Sequence, residues 1–224
     1  MLHSMRNKWF LRALATLGLG MGIAGPASAI VIDSTNDDFT INWALPNAGG
    51  SGVTVLGQAM FNITAVTDTS LAMTVTVNNL PDIGAPSGYK GGISSIGWAT
   101  DPNATSGTLT PGAVFDGGAF TSIPSLTLVE VCIYAANNCA GGSQNQLLAE
   151  NASDTFKITL NTSPDGSALW NLTNFGMKFQ TDNGSFEFYG CERNSCSNSV
   201  PEPGTLLLLG LGLLGCGVVT RRKI

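Results

Sequence analysis

The chain has 224 residues, only 11% of them charged, with a net charge of −5 and a pI near 4.6. An ordinary soluble domain carries about 25% charged residues. So sparse and acidic a composition excludes a salt-bridged helix bundle, a coiled coil and a nucleic-acid binder, which needs clustered Lys and Arg against phosphates. The cations also sit mostly at the two ends. Between residues 30 and 200 only Lys90, Lys157, Lys178 and Arg193 face 14 acidic residues, a net charge of −10 (4 − 14).

Arg6, Lys8 and Arg12 open the chain, and residues 13–24 form an uncharged, mostly apolar run. Pro26-Ala27-Ser28-Ala29 follows, with Ala27 and Ala29 as the small residues that a signal peptidase pocket accepts. This pattern predicts a secretory signal peptide over residues 1–29, cut after Ala29. The run is too short to span a bilayer comfortably, which favours cleavage over retention as an anchor.

Residues 30–197 read as an extracytoplasmic domain built from strands. Phe39, Ile41, Trp43 and Leu45 recur at every second position and so share one face. So do Val53, Val55, Gly57, Ala59, Phe61, Ile63 and Ala65, and then Leu71, Met73, Val75 and Val77. Period-two alternation predicts half-buried strands, and Thr67-Asp68-Thr69-Ser70 suits the turn between the last two. Residues 80–125, rich in Gly, Pro, Ser and Thr, are expected to hold long loops. Residues 144–152 are the one helical candidate. Phe156, Ile158 and Leu160 alternate, and Ser163-Pro164-Asp165-Gly166 is expected to turn the chain back into Ala168, Trp170 and Leu172. Phe175, Met177 and Phe179 then reverse through Asp182-Asn183-Gly184 into Phe186 and Phe188, a strong hairpin signal. The fold class expected is all-β, an antiparallel β-sandwich of the jelly-roll or Ig-like kind.

Cys132, Cys139, Cys191 and Cys196 lie in this region, and four cysteines permit three pairings. The two local pairings, Cys132–Cys139 and Cys191–Cys196, are expected in an oxidising compartment, each worth roughly 2 kcal/mol by loop entropy. The spacing is not that of a zinc site, and the region has no histidine, because His3 lies in the leader. The missing histidine also excludes a Ser-His-Asp or Cys-His catalytic unit. No dinucleotide or phosphate-loop fingerprint is present.

The expectation is therefore a protein that is not an enzyme and needs no cofactor or metal. Glu130, Glu150 and Glu187 are nominal carboxylates for glycoside chemistry, but nothing in their spacing separates them from surface acids. Asp37-Asp38 and Asp182-Asn183 fit turns as well as they fit calcium. Among the aromatics, Trp43 and Trp170 fall on apolar faces and read as core. Trp98 and Tyr89, beside Gly- and Pro-rich stretches, are the candidates for stacking on sugars.

After a linker at 198–203 containing Pro201-Glu202-Pro203, residues 204–220 are uncharged and hold seven leucines. As a helix at about 1.5 Å per residue they would span about 26 Å, a short transmembrane segment. Arg221, Arg222 and Lys223 in the tail at 221–224 would remain cytoplasmic.

A Pro-Glu-Pro motif, an apolar helix and a basic cluster, in that order, resemble the PEP-CTERM sorting signal of exported Gram-negative proteins. The resemblance covers the last 25 residues and, through the leader, the first 29. It implies that exosortase, a membrane enzyme, recognises and removes the tail. The partners implied are exosortase and signal peptidase, with passage through the inner membrane and delivery to the cell surface or beyond. Association with exopolysaccharide in a biofilm, a lectin-like module and a plain membrane-anchored adhesin are the roles this leaves for the mature domain. The stretch from Cys132 to Cys139, followed by Leu147-Leu148 and Asp154-Thr155-Phe156, is similar to the cistern subfamily of such proteins.

Overall fold

Buried and exposed side chains alternate along β3 (Thr54–Val66) and β4 (Ser70–Ile83), the two longest strands among the described residues. They pair antiparallel through the turn at 67–69, where the Thr67 N–H donates to the Ser70 carbonyl at 2.8 Å. The coordinates come from a computed structural model that describes residues 29–164 and 168–192.

Two antiparallel sheets pack face to face. One contains β2 (Phe39–Leu45), β3, β4, β6 (Ser106–Thr110), β10 (Ser153–Asn161) and β13 (Cys191–Glu192), in the order β13-β2-β3-β4-β10-β6. The other runs β1-β11-β5-β8-β7, with β12 also on β11 and β9 also on β5. Its strands are β1 (Ile30–Ile32), β5 (Gly91–Asp101), β7 (Phe115–Ala119), β8 (Val131–Ala135), β9 (Leu148–Ala149), β11 (Trp170–Thr181) and β12 (Gly184–Tyr189). The core between the sheets collects Trp43, Phe61, Met73, Val75 and Phe156 from one side, and Ile96, Trp98, Trp170, Met177 and Phe179 from the other. Phe39 stacks on Phe61, and Phe175 meets both rings edge-on. The antiparallel sandwich anticipated from alternation is the fold observed.

Four local expectations are corrected. Ala65 is exposed, not buried, because a bulge between Ile63 and Ala65 shifts the side-chain alternation by one. Residues 80–125 are not mainly loop but carry β5, β6 and β7. Residues 144–152 form no α-helix, only a 3-10 turn at Gln144–Gln146 followed by β9. Finally, β10 and β11 belong to opposite sheets and so form no hairpin with one another, while Asp165 and Gly166 of the expected turn lie outside the described residues. The Asn183-Gly184 hairpin forms as expected, with Thr181 opposite Gly184.

β5 shows no period-two alternation because it is covered on both faces. A second apolar cluster of Ile123, Leu126, Val129, Cys132 and Cys139 lies on the outer side of the sheet. The chain beneath it must be small. A Cβ on Gly97 would stand 2.5 Å from both Val129 Cγ1 and the Val131 carbonyl, and one on Gly176 would stand 2.6 Å from Leu126 Cδ1. Gly and Ser here mark close packing under a lid, although their composition resembles that of a loop.

Candidate functional site

At one end of the sandwich the chain leaves β4 through a loop at 84–90 and enters β5 at Gly91. Opposite, Asn79 fastens the segment that leads from β9 into β10. Its side-chain amide donates to the Leu148 carbonyl at 2.9 Å, its N–H donates to the Ala152 carbonyl, and its carbonyl accepts from the Asn151 N–H. Glu150 is thereby held at the tip, and its Oε1 accepts from the Asp82 N–H at 2.9 Å. Asp182, just past β11, accepts from the Lys90 N–H and returns its own N–H to the Lys90 carbonyl.

These three fastenings open a cleft of about 490 Å³. Tyr89, Lys90, Gln144, Asn145, Glu150 and Gln180 contribute to its lining. Gly91 and Gly92 let the strand approach closely. A Cβ on Gly91 would stand 3.1 Å from Asp82 Oδ2 and 3.5 Å from the Tyr89 ring, and one on Gly92 would stand 2.6 Å from Leu147 Cβ. Two polar atoms beside the cleft, Tyr89 Oη and Asp82 Oδ1, are enclosed and have no hydrogen-bond partner among the described residues. Burial, reinforced by the negative charge of Glu150, pushes the Asp82 carboxyl up to about 6.

The sequence candidates divide. Tyr89 lines the cleft, half-buried. Trp98 does not, and the sugar-stacking role expected of it is corrected: the residue is 0% exposed and lies in the core, edge-on to Phe61. A ring enclosed on both faces offers nothing to a ligand. Of the nominal carboxylates, Glu150 reaches the cleft. Glu130 instead accepts from the Thr100 N–H, and Glu187 pairs with Lys178. Asp37 and Asp38 spend their oxygens on the chain itself, Asp37 on the N–H groups of Asp33 and Ser34, and Asp38 on Ile63 and Asn62. Among the described residues no three His, Cys, Asp or Glu groups converge as a metal would require.

Cys132 and Cys139 form a disulfide, with Cα atoms 6.2 Å apart, at the edge of the outer apolar cluster. Cys191 on β13 is disulfide-bonded, and Cys196 lies outside the described residues. Ala29 is exposed and stands directly before β1. Ala27, Pro201, Glu202, Pro203, Arg221, Arg222 and Lys223 lie outside the described residues, as does the helix expected over 204–220. Among the described residues no helix is long and apolar enough to cross a membrane.

The cleft itself was not legible in advance. Its residues come from positions 89 to 180, and the one local signal is Tyr89-Lys90-Gly91-Gly92, an aromatic and a cation beside two glycines.

No curated protein matches the chain. Residues 199–223 match the family of the PEP-CTERM protein-sorting motif. This is the segment in which Pro201, Glu202, Pro203 and the basic cluster fall. Such a motif supports membrane-associated sorting of an exported protein to the cell surface, with exosortase as the processing partner. The chain therefore carries a PEP-CTERM sorting motif behind an antiparallel β-sandwich, and that motif supports export and processing by exosortase.

Proposed function

We propose that the processed domain is a non-enzymatic component of the extracellular matrix, working beside exopolysaccharide after exosortase has removed the tail. The observation that carries this reading is the sorting motif at 199–223 joined to a disulfide-tied sandwich. A disulfide and a low content of charged residues suit a domain that works in an oxidising space outside the cell.

The reading is tested by intact-mass measurement and fractionation of cells with and without exosortase. Loss of the C-terminal residues, with recovery of the domain in the polysaccharide fraction, is the expected result. A mature protein that stays with the membrane in both strains and keeps its tail identifies a plain anchored adhesin. A processed protein found free in the medium removes the matrix role while leaving the processing intact.

The cleft favours a second reading, a carbohydrate-binding module. Concave sites with a few convergent polar groups are where ligands bind, and Tyr89 supplies an amphipathic ring in its wall.

A further inference from the structure

We propose that the cleft between the loop at 84–90 and the segment at 143–150 selects uncharged oligosaccharides and rejects uronate-containing ones. This rests on the carbohydrate-binding reading of the same cleft.

Size is the first argument. About 490 Å³ lies within the range of roughly 300–1,000 Å³ typical of small-ligand sites. Lining chemistry is the second. Gln144, Asn145 and Gln180 bring three side-chain amides, and Glu150 brings a carboxylate. An amide offers a donor and an acceptor side by side and a carboxylate offers two acceptors, and sugar hydroxyls can meet both. Tyr89 places its ring in the wall.

Charge supplies the selectivity. Glu150 and Lys90 line the cleft, with Asp82 bonded to Glu150 through its N–H and Asp182 bonded to the Lys90 backbone. The surrounding stretch, residues 30–200, has a net charge of −10 (4 − 14). An acidic sugar approaching this field is repelled before it reaches a contact, whereas a neutral one is not.

The test is a printed array of neutral and acidic glycans probed with the mature exported protein. Calorimetric titration at low salt follows, with neutral hexasaccharides of the best class and with hexagalacturonate. At least one neutral class is expected to bind, with hexagalacturonate at least tenfold weaker. Tyr89→Ala and Gln144→Ala should each weaken neutral binding tenfold or more, while Thr108→Ala, on the distant edge strand β6, should leave it unchanged. Tyr89→Phe removes only the hydroxyl and keeps the ring, which guards against a folding artefact. Glu150→Gln retains the acceptor for the Asp82 N–H and should narrow the gap between neutral and acidic ligands. Equal or tighter binding of hexagalacturonate overturns the selectivity and leaves the carbohydrate reading standing. An array without any hit overturns both. Binding of calcium ion alone, lost in Glu150→Gln and with no sugar bound, replaces them with a cation site.

Discussion

Lys178 and Glu187 face one another across the β11–β12 ladder and form an ion pair on the outer side of the sheet, with only 7% and 8% of their side chains exposed. Glu187 also accepts from the Ser125 N–H at one end of the outer apolar cluster. One carboxylate therefore ties the lid to the sheet and neutralises the single cation beneath it. Burial alone would raise the Glu187 carboxyl, but the hydrogen bonds from Lys178 and Ser125 outweigh it and hold the group below its ordinary value of 4.5.

Replacing Glu187 by Ala leaves a buried ammonium without a partner, an expected loss of about 3 kcal/mol. The double variant Lys178→Met/Glu187→Leu should recover most of it, because two apolar groups need no partner. Urea unfolding midpoints decide this, and a single variant as stable as wild type would rule out a lock. The sign with pH follows from the lowered folded value. The contribution is complete above pH 4.5 and disappears as pH falls below it.

Asp154 closes the opposite edge. Its carboxylate accepts from the N–H groups of Ala113, Val114 and Phe115 at 2.8, 2.9 and 2.7 Å, which fixes the turn between edge strands β6 and β7. Asp154→Ala strands three donors, and a loss of about 3 kcal/mol or more is expected. Asp154→Asn, which keeps one acceptor oxygen, should fall between it and wild type. Amide exchange at 113–115 should accelerate in both variants. Protection unchanged in the Ala variant would mean the turn holds itself.

The two glycines under the lid should differ in their tolerance. The three atoms nearest a Cβ on Gly176 are side-chain ends, of Leu126, Val129 and Ile123, which can yield, so Gly176→Ala is expected to cost about 1–2 kcal/mol. On Gly97 it also meets the Val131 carbonyl at 2.5 Å, part of the ladder to β8. Backbone cannot step aside without breaking pairing, so Gly97→Ala should cost about 3 kcal/mol or fail to fold. Thermal melts of the two variants give the order, and Gly176→Ala as the worse would show that the lid, not the ladder, is rigid.

These relationships mark the boundary of what the residues reveal in one dimension. Alternation exposed β2, β3, β4 and β10, because each has one face in the core and one in solvent. It failed at β5, where a lid from residues 121–130 covers the second face and Gly and Ser replace the polar half of the pattern. Tyr89 and Trp98 show the same limit at the site. Both sit beside glycines in sequence, yet one lines a cleft and the other lies inside the sandwich. The sorting motif needed no fold to be read, since its order of Pro-Glu-Pro, apolar run and basic cluster is itself the signal. The cleft needed all of it, because Asp82 meets Glu150, and Lys90 meets Asp182, only when β4, β9 and β11 end together.

Asp82 gives the cleft a pH response that can be measured without any ligand. Its carboxyl is raised from 3.8 to about 6, first by burial and then by Glu150. Between these values the folded protein holds a proton that the unfolded chain has released. Stability therefore falls as pH rises from about 4 to about 6, and above that the full cost of the charge remains. Asp82→Asn removes the charge while keeping the shape. It is expected to be more stable than wild type by roughly 1 kcal/mol at pH 7, the shift being discounted for solvent screening. The advantage should vanish near pH 4, where Asp82 is protonated in the folded protein. Guanidinium unfolding of both proteins from pH 4 to pH 8 measures the difference. A constant gap across that range would show that the substitution acts through packing, and a variant less stable at pH 7 would mean that the ionised carboxylate is stabilising where it stands.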